Sequence, residues 1–156
     1  MTETAAATVR TVEETLLSGD VPLWVHPDWS ERFPWLVQGT TGRGSGDQPF
    51  DLALGGERPV GVALDRWRKL AAVTGMRTAI HSRQVHGTEI WVHRERGAPA
   101  IAVMDGWDGH ATERAGLLIA VGIADCTPVS IVDAERRCVA LVHARCRYRR
   151  RRSPSR

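Results

Sequence analysis

Cysteine, tyrosine and phenylalanine are scarce in this chain, which has three, one and two of them among 156 residues. The cysteines, Cys126, Cys138 and Cys146, are odd in number, which argues against a disulfide framework. Residues 1–7 are small and polar, so they lack the basic start and apolar stretch of a signal peptide. These absences together predict a cytoplasmic protein in a reducing environment.

Long apolar runs are also missing, and none reaches the length that is needed to cross a bilayer. We therefore expect no contact with the membrane interior. Hydrophobic residues make up 42% and charged residues 25% of the chain, a composition typical of a globular domain rather than of a disordered chain. The length is sufficient for one domain with a real core.

Basic residues are concentrated at one end of the chain. Seven of the 21 lysines and arginines are arginines within residues 145–156, and the remaining 14 face 18 acidic residues. The body is therefore acidic although the pI is 9.1, which argues against nucleic-acid binding by a folded face. A protein whose arginine tail alone binds RNA, DNA or an anionic membrane is a rival hypothesis.

Hydrophobic spacing predicts a mixed α/β sandwich, with a mixed sheet and flanking helices in one domain. The strongest helix is expected at 59–74, because Pro59 suits a first turn and Gly75 can end the helix. Residues 129–132 and 138–142 are typical of a β-hairpin with a polar loop. We further expect a short helix at 2–17, extended segments within 21–37, and strands at 78–92 and 117–123.

Three short motifs carry the strongest functional signal: Gln84-Val85-His86-Gly87, Asp125-Cys126-Thr127-Pro128 and Val142-His143-Ala144. Two histidines and a cysteine are a ligand set for a zinc ion that keeps one position open, as in catalytic sites. Such an ion acidifies a bound water or polarises a bound carbonyl or phosphate. His86, Cys126 and His143 are therefore one candidate set of metal ligands, which only the family resemblance given below selects from the other histidines.

The neighbours of these ligands suggest catalytic roles. Asp125 could orient a ligand or act as a general base. Gln84 stands two residues before His86, and in a strand that spacing puts both side chains on one face. We therefore expect Gln84 to hydrogen-bond a substrate held at the metal. The candidate catalytic residues are Gln84, Asp125 and Cys126.

Spacing alone does not select this site. The separations of 40 and 17 residues between the three ligands match no compact metal motif. A lone cysteine after an apolar strand is more often a small buried hydrophobe, and Cys126 could also serve a metal-storing or redox protein. Four other histidines compete for the same role, namely His26, His81, His93 and His110.

The motifs resemble the laccase-domain family, whose pattern contains Q-V-H-G, A-D-C-x-P-V and V-H-A-G-W-R-G. Weaker similarities lie at 38–41, 49–54 and 65–75, so the match covers about residues 21–144. The resemblance implies an N-terminal extension at 1–20, a partial laccase-like domain at 21–144 and a separate arginine-rich tail at 145–156. Members were once called multicopper polyphenol oxidases and are now regarded as purine nucleoside phosphorylases.

The resemblance implies a zinc ion at His86, Cys126 and His143, with copper as the alternative metal. It implies phosphorolysis of adenosine, inosine, guanosine and methylthioadenosine, with adenosine deamination at the same site. The partners are then a purine nucleoside and phosphate. A polyphenol oxidase of the multicopper type is the poorer alternative, because a cluster of coppers needs more histidines than the six present.

The chain departs from the family pattern at several positions. Gln38 replaces a histidine and Ala53 an asparagine. The arginine of the family's Thr-Thr-Arg motif has no exact partner, and Arg43, two residues later, is the candidate substrate-binding residue. The oligomeric state is not indicated by the sequence.

The largest departure follows Ala144, where the family continues with G-W-R-G-T-A-A-G and a long further section. If the tail is encoded by GC-rich codons, reading them one base later gives Gly-Ala-Gly-Thr-Ala-Ala-Ala-Gly-Val-Leu-Leu. We therefore interpret residues 145–156 as disordered or frameshift-derived. A domain truncated there would expose a sheet edge and lose core area, so we expect it to be marginally stable and weakly active.

Overall fold

The computed structural model describes residues 9–45, 47, 49–55, 59–95, 97 and 99–144. The chain divides into two compact units, Met1–Asp51 and Leu52–Arg156. The arginine-rich tail, with Cys146, lies outside the described residues, as does the start of the predicted N-terminal extension. The expected domain boundaries after residues 20 and 144 therefore stay predictions.

The described part of the first unit contains a small antiparallel sheet and one short helix. The sheet has the order β1-β2-β3, and the helix α1 (Pro27–Arg32) follows β2. The predicted helix at 2–17 is wrong over its described part, because Thr15 and Leu16 pair with β2 and satisfy their backbone groups in a ladder. The strands are β1 (Thr15–Leu16), β2 (Leu23–Val25) and β3 (Thr40–Thr41).

The expected extended structure at 21–37 is only partly confirmed, since α1 interrupts it. Pro27 occupies the first helical turn, where its missing N–H costs nothing. His26 caps this helix, as its Nδ1 accepts a hydrogen bond from the backbone N–H of Trp29 at 3.3 Å. The helix therefore has a local cause that hydrophobic spacing did not reveal.

The long helix of the second unit, α2 (Val60–Thr74), confirms the prediction for 59–74. It ends at Gly75, whose φ of 68° is a left-handed conformation that glycine adopts without steric cost. Trp67 and Leu70 are buried on its inner face. The helix contacts the strands β4 (Thr78–Arg83) and β6 (Ile101–Asp105). Across the described residues, neither helix combines the length and apolar character that crossing a membrane requires.

The second unit also contains two sheets, so the predicted mixed α/β class is confirmed. One is parallel with the order β6-β4-β8, and the other is mixed with the order β5-β7-β10-β9, in which β5 and β7 are parallel. The strands are β4 (Thr78–Arg83), β5 (Ile90–His93), β6 (Ile101–Asp105), β7 (Gly109–Thr112), β8 (Leu117–Ala120), β9 (Thr127–Asp133) and β10 (Cys138–Ala144).

The differences from the predicted strands fall beside the functional motifs. The strand expected at 78–92 is broken between Arg83 and Ile90, and the strand expected at 117–123 ends at Ala120. The predicted hairpin is confirmed and is longer than expected. Its register pairs His143 with Pro128, while Val142 pairs with Gly109 of β7. The start of β9, the end of β10 and the start of β7 therefore lie at one edge of the mixed sheet.

Candidate metal centre

One ligand atom from each of His86, Cys126 and His143 comes together, and all three atoms lie within 4.8 Å of one another. His86 lies in the turn after β4, Cys126 directly before β9, and His143 near the end of β10. Two donors at 2.0–2.3 Å from a shared tetrahedral zinc are about 3.5 Å apart. Small side-chain rotations therefore suffice to bring these atoms onto one ion, and the thiol and imidazole donors fit a zinc or copper site.

Burial is graded across the three side chains. His143 is 5% exposed, Cys126 is half-buried and His86 is exposed. The rings of His86 and His143 lie close to each other, with centroids 4.9 Å apart. The cluster is thus anchored in the protein on one side and open to solvent on the other.

The turn that carries His86 differs from the expected strand. Since β4 ends at Arg83 and His86 has a φ of 58°, the prediction that Gln84 and His86 share one face of a strand is wrong. A left-handed conformation is uncommon in residues other than glycine. Other contacts must therefore hold this turn in place.

Asp108 makes those contacts, and the sequence interpretation did not identify it. One of its carboxylate oxygens, Oδ1, accepts a hydrogen bond from the backbone N–H of His86 at 2.8 Å, and Oδ2 accepts one from Gly87 at 2.7 Å. Asp108 is 1% exposed. Its Oδ1 also lies 3.6 Å from Nδ1 of His143. The sequence signal was weak, because Asp-Gly before a strand is typical of an ordinary turn.

Gln84 contacts the segment that precedes Cys126. Its side-chain Nε2 donates a hydrogen bond to the carbonyl of Gly122 at 3.0 Å, and its Oε1 accepts one from the N–H of Gly122 at 2.6 Å. A Cβ at Gly122 would lie 3.3 Å from Oε1. Gln84 therefore ties the turn of one candidate ligand to the loop of another, and its catalytic role stays a prediction.

Two further residues complete the predicted set. Asp125 is next to Cys126 in sequence and is exposed, so its predicted role as a base stays a prediction. Arg43 belongs to the first unit, where its carbonyl accepts a hydrogen bond from Phe50 at 2.7 Å. Its predicted role in substrate binding also stays a prediction.

The four competing histidines are engaged in other contacts. His26 caps α1, as described above. In the second unit, His110 Nε2 is 3.1 Å from Ser82 Oγ and its Nδ1 is 3.0 Å from His93 Nε2. This buried chain joins the parallel sheet to the mixed sheet. The ring of His81 instead packs beside Trp67, with centroids 5.6 Å apart.

Burial makes the rings of His81, His93 and His110 poor proton acceptors. It lowers the pKa of His110 to about 4, with smaller contributions from the neighbouring His93 and His81 rings. Burial also lowers the pKa of His81 and of His93 below 6.5. At pH 7 the neutral form of these rings is therefore favoured. His93 and His110 act as hydrogen-bonding groups of the core, and the half-buried His81 packs against Trp67.

The fold and the cluster together define a mixed α/β protein with a candidate three-ligand metal centre at a sheet edge. The sequence pattern of the multi-copper polyphenol oxidoreductase laccase family matches residues 48–147. This match covers well over half of the chain, so the chain belongs to that family, as its motifs predicted.

Curated relatives carry the name purine nucleoside phosphorylase. The chain is 36% identical over 114 residues to one from Mycobacterium tuberculosis, which covers 69% of this chain and 44% of that protein. It is 34% identical over 91 residues to one from Corynebacterium glutamicum, which covers 57% and 36%. The chain thus spans less than half the length of these relatives.

Two crystal structures have the same fold. YlmD from Geobacillus stearothermophilus superposes with a TM-score of 0.68 at 24% identity, covering 85% of this chain and 53% of that one. The hypothetical protein YfiH from Bacillus licheniformis gives a TM-score of 0.66 at 20% identity, covering 78% and 49%. These similarities support the mixed α/β architecture.

Proposed function

We propose that this chain carries the metal centre of a purine nucleoside phosphorylase, with zinc held by His86, Cys126 and His143. The observation that carries the proposal is the convergence of these three donors within 4.8 Å, with one side open to solvent. Three protein ligands leave a coordination position free, which distinguishes catalytic from structural zinc. The names of the curated relatives support the choice of a nucleoside as substrate.

The proposed reaction is the phosphorolysis of adenosine, inosine, guanosine or methylthioadenosine to a free base and a sugar phosphate. A bound zinc supplies positive charge that polarises a phosphate or water oxygen. His143 and Cys126 anchor the centre, and the exposed side of His86 faces the solvent from which substrate arrives. Gln84 fixes the loop that leads to Cys126, and Arg43 is the proposed substrate-binding residue of the first unit.

Adenosine deamination at the same site is part of the proposal. In this reaction a water attacks the purine ring carbon that carries the amino group, and the bond from this carbon to the amino nitrogen breaks. A nearby group takes a proton from the water, and the leaving nitrogen gains one and departs as ammonia. Asp125 is proposed as the group that takes the proton from the water, because its side chain is exposed and it adjoins Cys126 in the chain, whereas the carboxylate of Asp108 accepts two backbone hydrogen bonds. An exposed carboxylate can exchange the proton with solvent.

A multicopper oxidase is less well supported by the same residues. Of the six histidines, His26 caps a helix, His93 and His110 are buried and bonded to each other, and the half-buried His81 packs beside Trp67. The candidate centre therefore has two imidazoles and one thiol, which suits one ion. Copper at this single centre is the alternative metal, and metal competition distinguishes it from zinc.

Two cysteine variants test the proposal on the full chain. Cys126→Ser removes the proposed thiolate ligand, whereas Cys138→Ser changes the other described free cysteine, at the far end of the hairpin. Zinc affinity is measured by competition with a chromophoric chelator. Adenine and ribose 1-phosphate are then measured after incubation with adenosine and phosphate.

We expect Cys126→Ser to lose both zinc binding and product formation, and Cys138→Ser to retain them. If the unmodified chain binds no zinc, or if the two variants bind it equally well, the metal centre is wrong. If zinc binds but no adenine is released, the proposed reaction is wrong for this chain. Ammonia release from adenosine separately decides the deaminase activity.

A further inference from the structure

We infer that Asp108 is the positioning residue of the metal centre, because its buried carboxylate holds the turn of His86 and faces the ring of His143. This inference rests on the proposed function, since it assumes that these histidines bind a metal. It adds a residue outside the three ligands and outside the motifs that identified them. Asp108 acts through its neighbours and need not touch the substrate.

The side chain of Asp108 holds the turn that carries His86. Both carboxylate oxygens of Asp108 accept backbone hydrogen bonds, from His86 at 2.8 Å and from Gly87 at 2.7 Å. Bonds from N–H groups to a charged acceptor are stronger than neutral ones. A Cβ on Gly87 would lie 3.3 Å from Oδ2, so the close approach favours glycine there. These two hydrogen bonds hold His86 at its left-handed φ.

The backbone of Asp108 also binds to β10. The carbonyl of Asp108 accepts a hydrogen bond from the backbone N–H of His143 at 2.8 Å, and its own N–H bonds to the carbonyl of Glu89 at 3.0 Å. Backbone hydrogen bonds therefore fix Asp108 on both sides, directly before β7. Its backbone holds the segment of His143 while its side chain holds the turn of His86. One residue thus sets the separation of two proposed ligands.

The carboxylate of Asp108 also faces the ring of His143. Its Nδ1 is buried, has no hydrogen-bond partner in the described part of the chain, and lies 3.6 Å from Oδ1 of Asp108. A neutral imidazole carries one proton, and a nearby carboxylate favours that proton on the nitrogen that faces it. Nε2 then keeps the lone pair that a metal requires. We therefore expect His143 to bind the metal through Nε2.

The experiment compares Asp108→Asn with Asp133→Asn in the full chain. Asp133 is a matched control, because its Oδ1 also accepts two backbone hydrogen bonds, from Glu135 at 3.1 Å and Arg136 at 3.0 Å. It lies at the hairpin turn, away from the ligands, with its side chain 37% exposed. An asparagine at 108 would place an amide NH₂ group against an N–H donor.

We expect Asp108→Asn to lower zinc affinity by roughly 10- to 100-fold and Asp133→Asn to change it by less than about twofold. The cobalt-substituted protein provides a second readout, because its visible spectrum reports ligand geometry. Equal affinities and spectra for Asp108→Asn and the unmodified chain would overturn the inference. Absence of zinc binding in the unmodified chain would instead contradict the proposed function, and this inference with it.

A measurement on the unmodified protein decides the matter if Asp108→Asn does not fold. Nitrogen-15 NMR of the zinc-loaded chain distinguishes a protonated from a metal-bound imidazole nitrogen. We expect the His143 ring to be protonated at Nδ1 and metal-bound at Nε2. The opposite arrangement would show that Asp108 does not orient this ring.

Discussion

The second unit contains two groups of histidines that differ in what surrounds them. His86 and His143 lie at a sheet edge beside a thiol, and one of them is exposed. His93 and His110 lie between the sheets, where they bond to each other and to Ser82. The same side chain thus provides free donor atoms in one place and closed hydrogen bonds in the other.

This contrast shows which property makes a histidine available to bind a metal ion. In the buried group, the bonds of His110 occupy both of its ring nitrogens. In the edge group, Asp108 accepts a hydrogen bond from the backbone N–H of His86 and not from its imidazole ring. We therefore expect the edge group to govern metal binding and the buried group to govern stability. Four predictions test this division, in order of decreasing effect.

Replacing His86 should separate metal binding from stability most clearly. His86→Asn removes a ligand but keeps a residue that tolerates a left-handed φ. We expect zinc affinity to fall about 100-fold or more, since each ligand contributes roughly 3 kcal/mol to binding. The free energy of unfolding without metal should change by less than about 0.5 kcal/mol, as for other exposed residues. A large loss of stability in urea titrations would contradict the assignment of metal binding to the edge group and of stability to the buried group.

Acid should destabilise the protein through the buried group. Burial lowers the pKa of His110 to about 4 in the folded chain, and unfolding returns this pKa to its ordinary value of 6.5. Between these pH values the unfolded chain binds a proton that the folded chain does not, so stability falls as the pH decreases through this window. The loss from this residue should be on the order of 3 kcal/mol. Urea titrations of the metal-free chain from pH 7.5 to 4 measure it, and a flat profile would contradict the assignment.

Removing the central ring of the buried group should lower stability at neutral pH. His110→Leu keeps a similar volume but leaves the hydroxyl of Ser82 and Nε2 of His93 without this partner. We expect a loss of about 2 kcal/mol, within the usual cost of buried unpaired polar groups. The acid dependence should become shallower, while zinc affinity measured under folding conditions stays near its original value. A selective loss of zinc affinity would place His110 in the metal centre.

The smallest effect is expected at the contact that joins two ligand segments. Gln84→Ala removes two hydrogen bonds to Gly122, whereas Gln84→Glu keeps the acceptor and loses the donor. We expect the alanine variant to weaken zinc binding by about fivefold, equivalent to about 1 kcal/mol of positioning energy. The glutamate variant should lie between it and the unmodified chain. An alanine variant that binds zinc normally but releases no adenine would instead support a direct catalytic role.

The sequence was most informative where structure is local. The helix at 60–74 follows from its apolar spacing and from Gly75, and the hairpin follows from two apolar segments around a polar loop. The helix expected at 2–17 was wrong, because a two-residue strand pairing with β2 decides the fold there. Short ladders of this kind leave little periodic signal.

The candidate site was predictable only in part, for a related reason. Motif resemblance identified His86, Cys126 and His143, whose donors the structure brings together. It did not identify Asp108, since this residue reaches its partners through the pairing of β10 with β7. Gln84 was selected, but for a strand face that does not exist, because the chain leaves β4 one residue earlier. Contacts between distant segments depend on register, which one sequence does not specify.

The hairpin register has a consequence for folding as well as for chemistry. Cys126 and His143 stand at its open end, while the polar loop closes the other end. An ion bound by both residues would link the open ends of β9 and β10 and so close the hairpin into a loop. Fraying of that end would then require the ion to dissociate. Amide protons in the two strands should then exchange more slowly once zinc is added. In this protein, ion uptake and the correct alignment of two strands would be a single event.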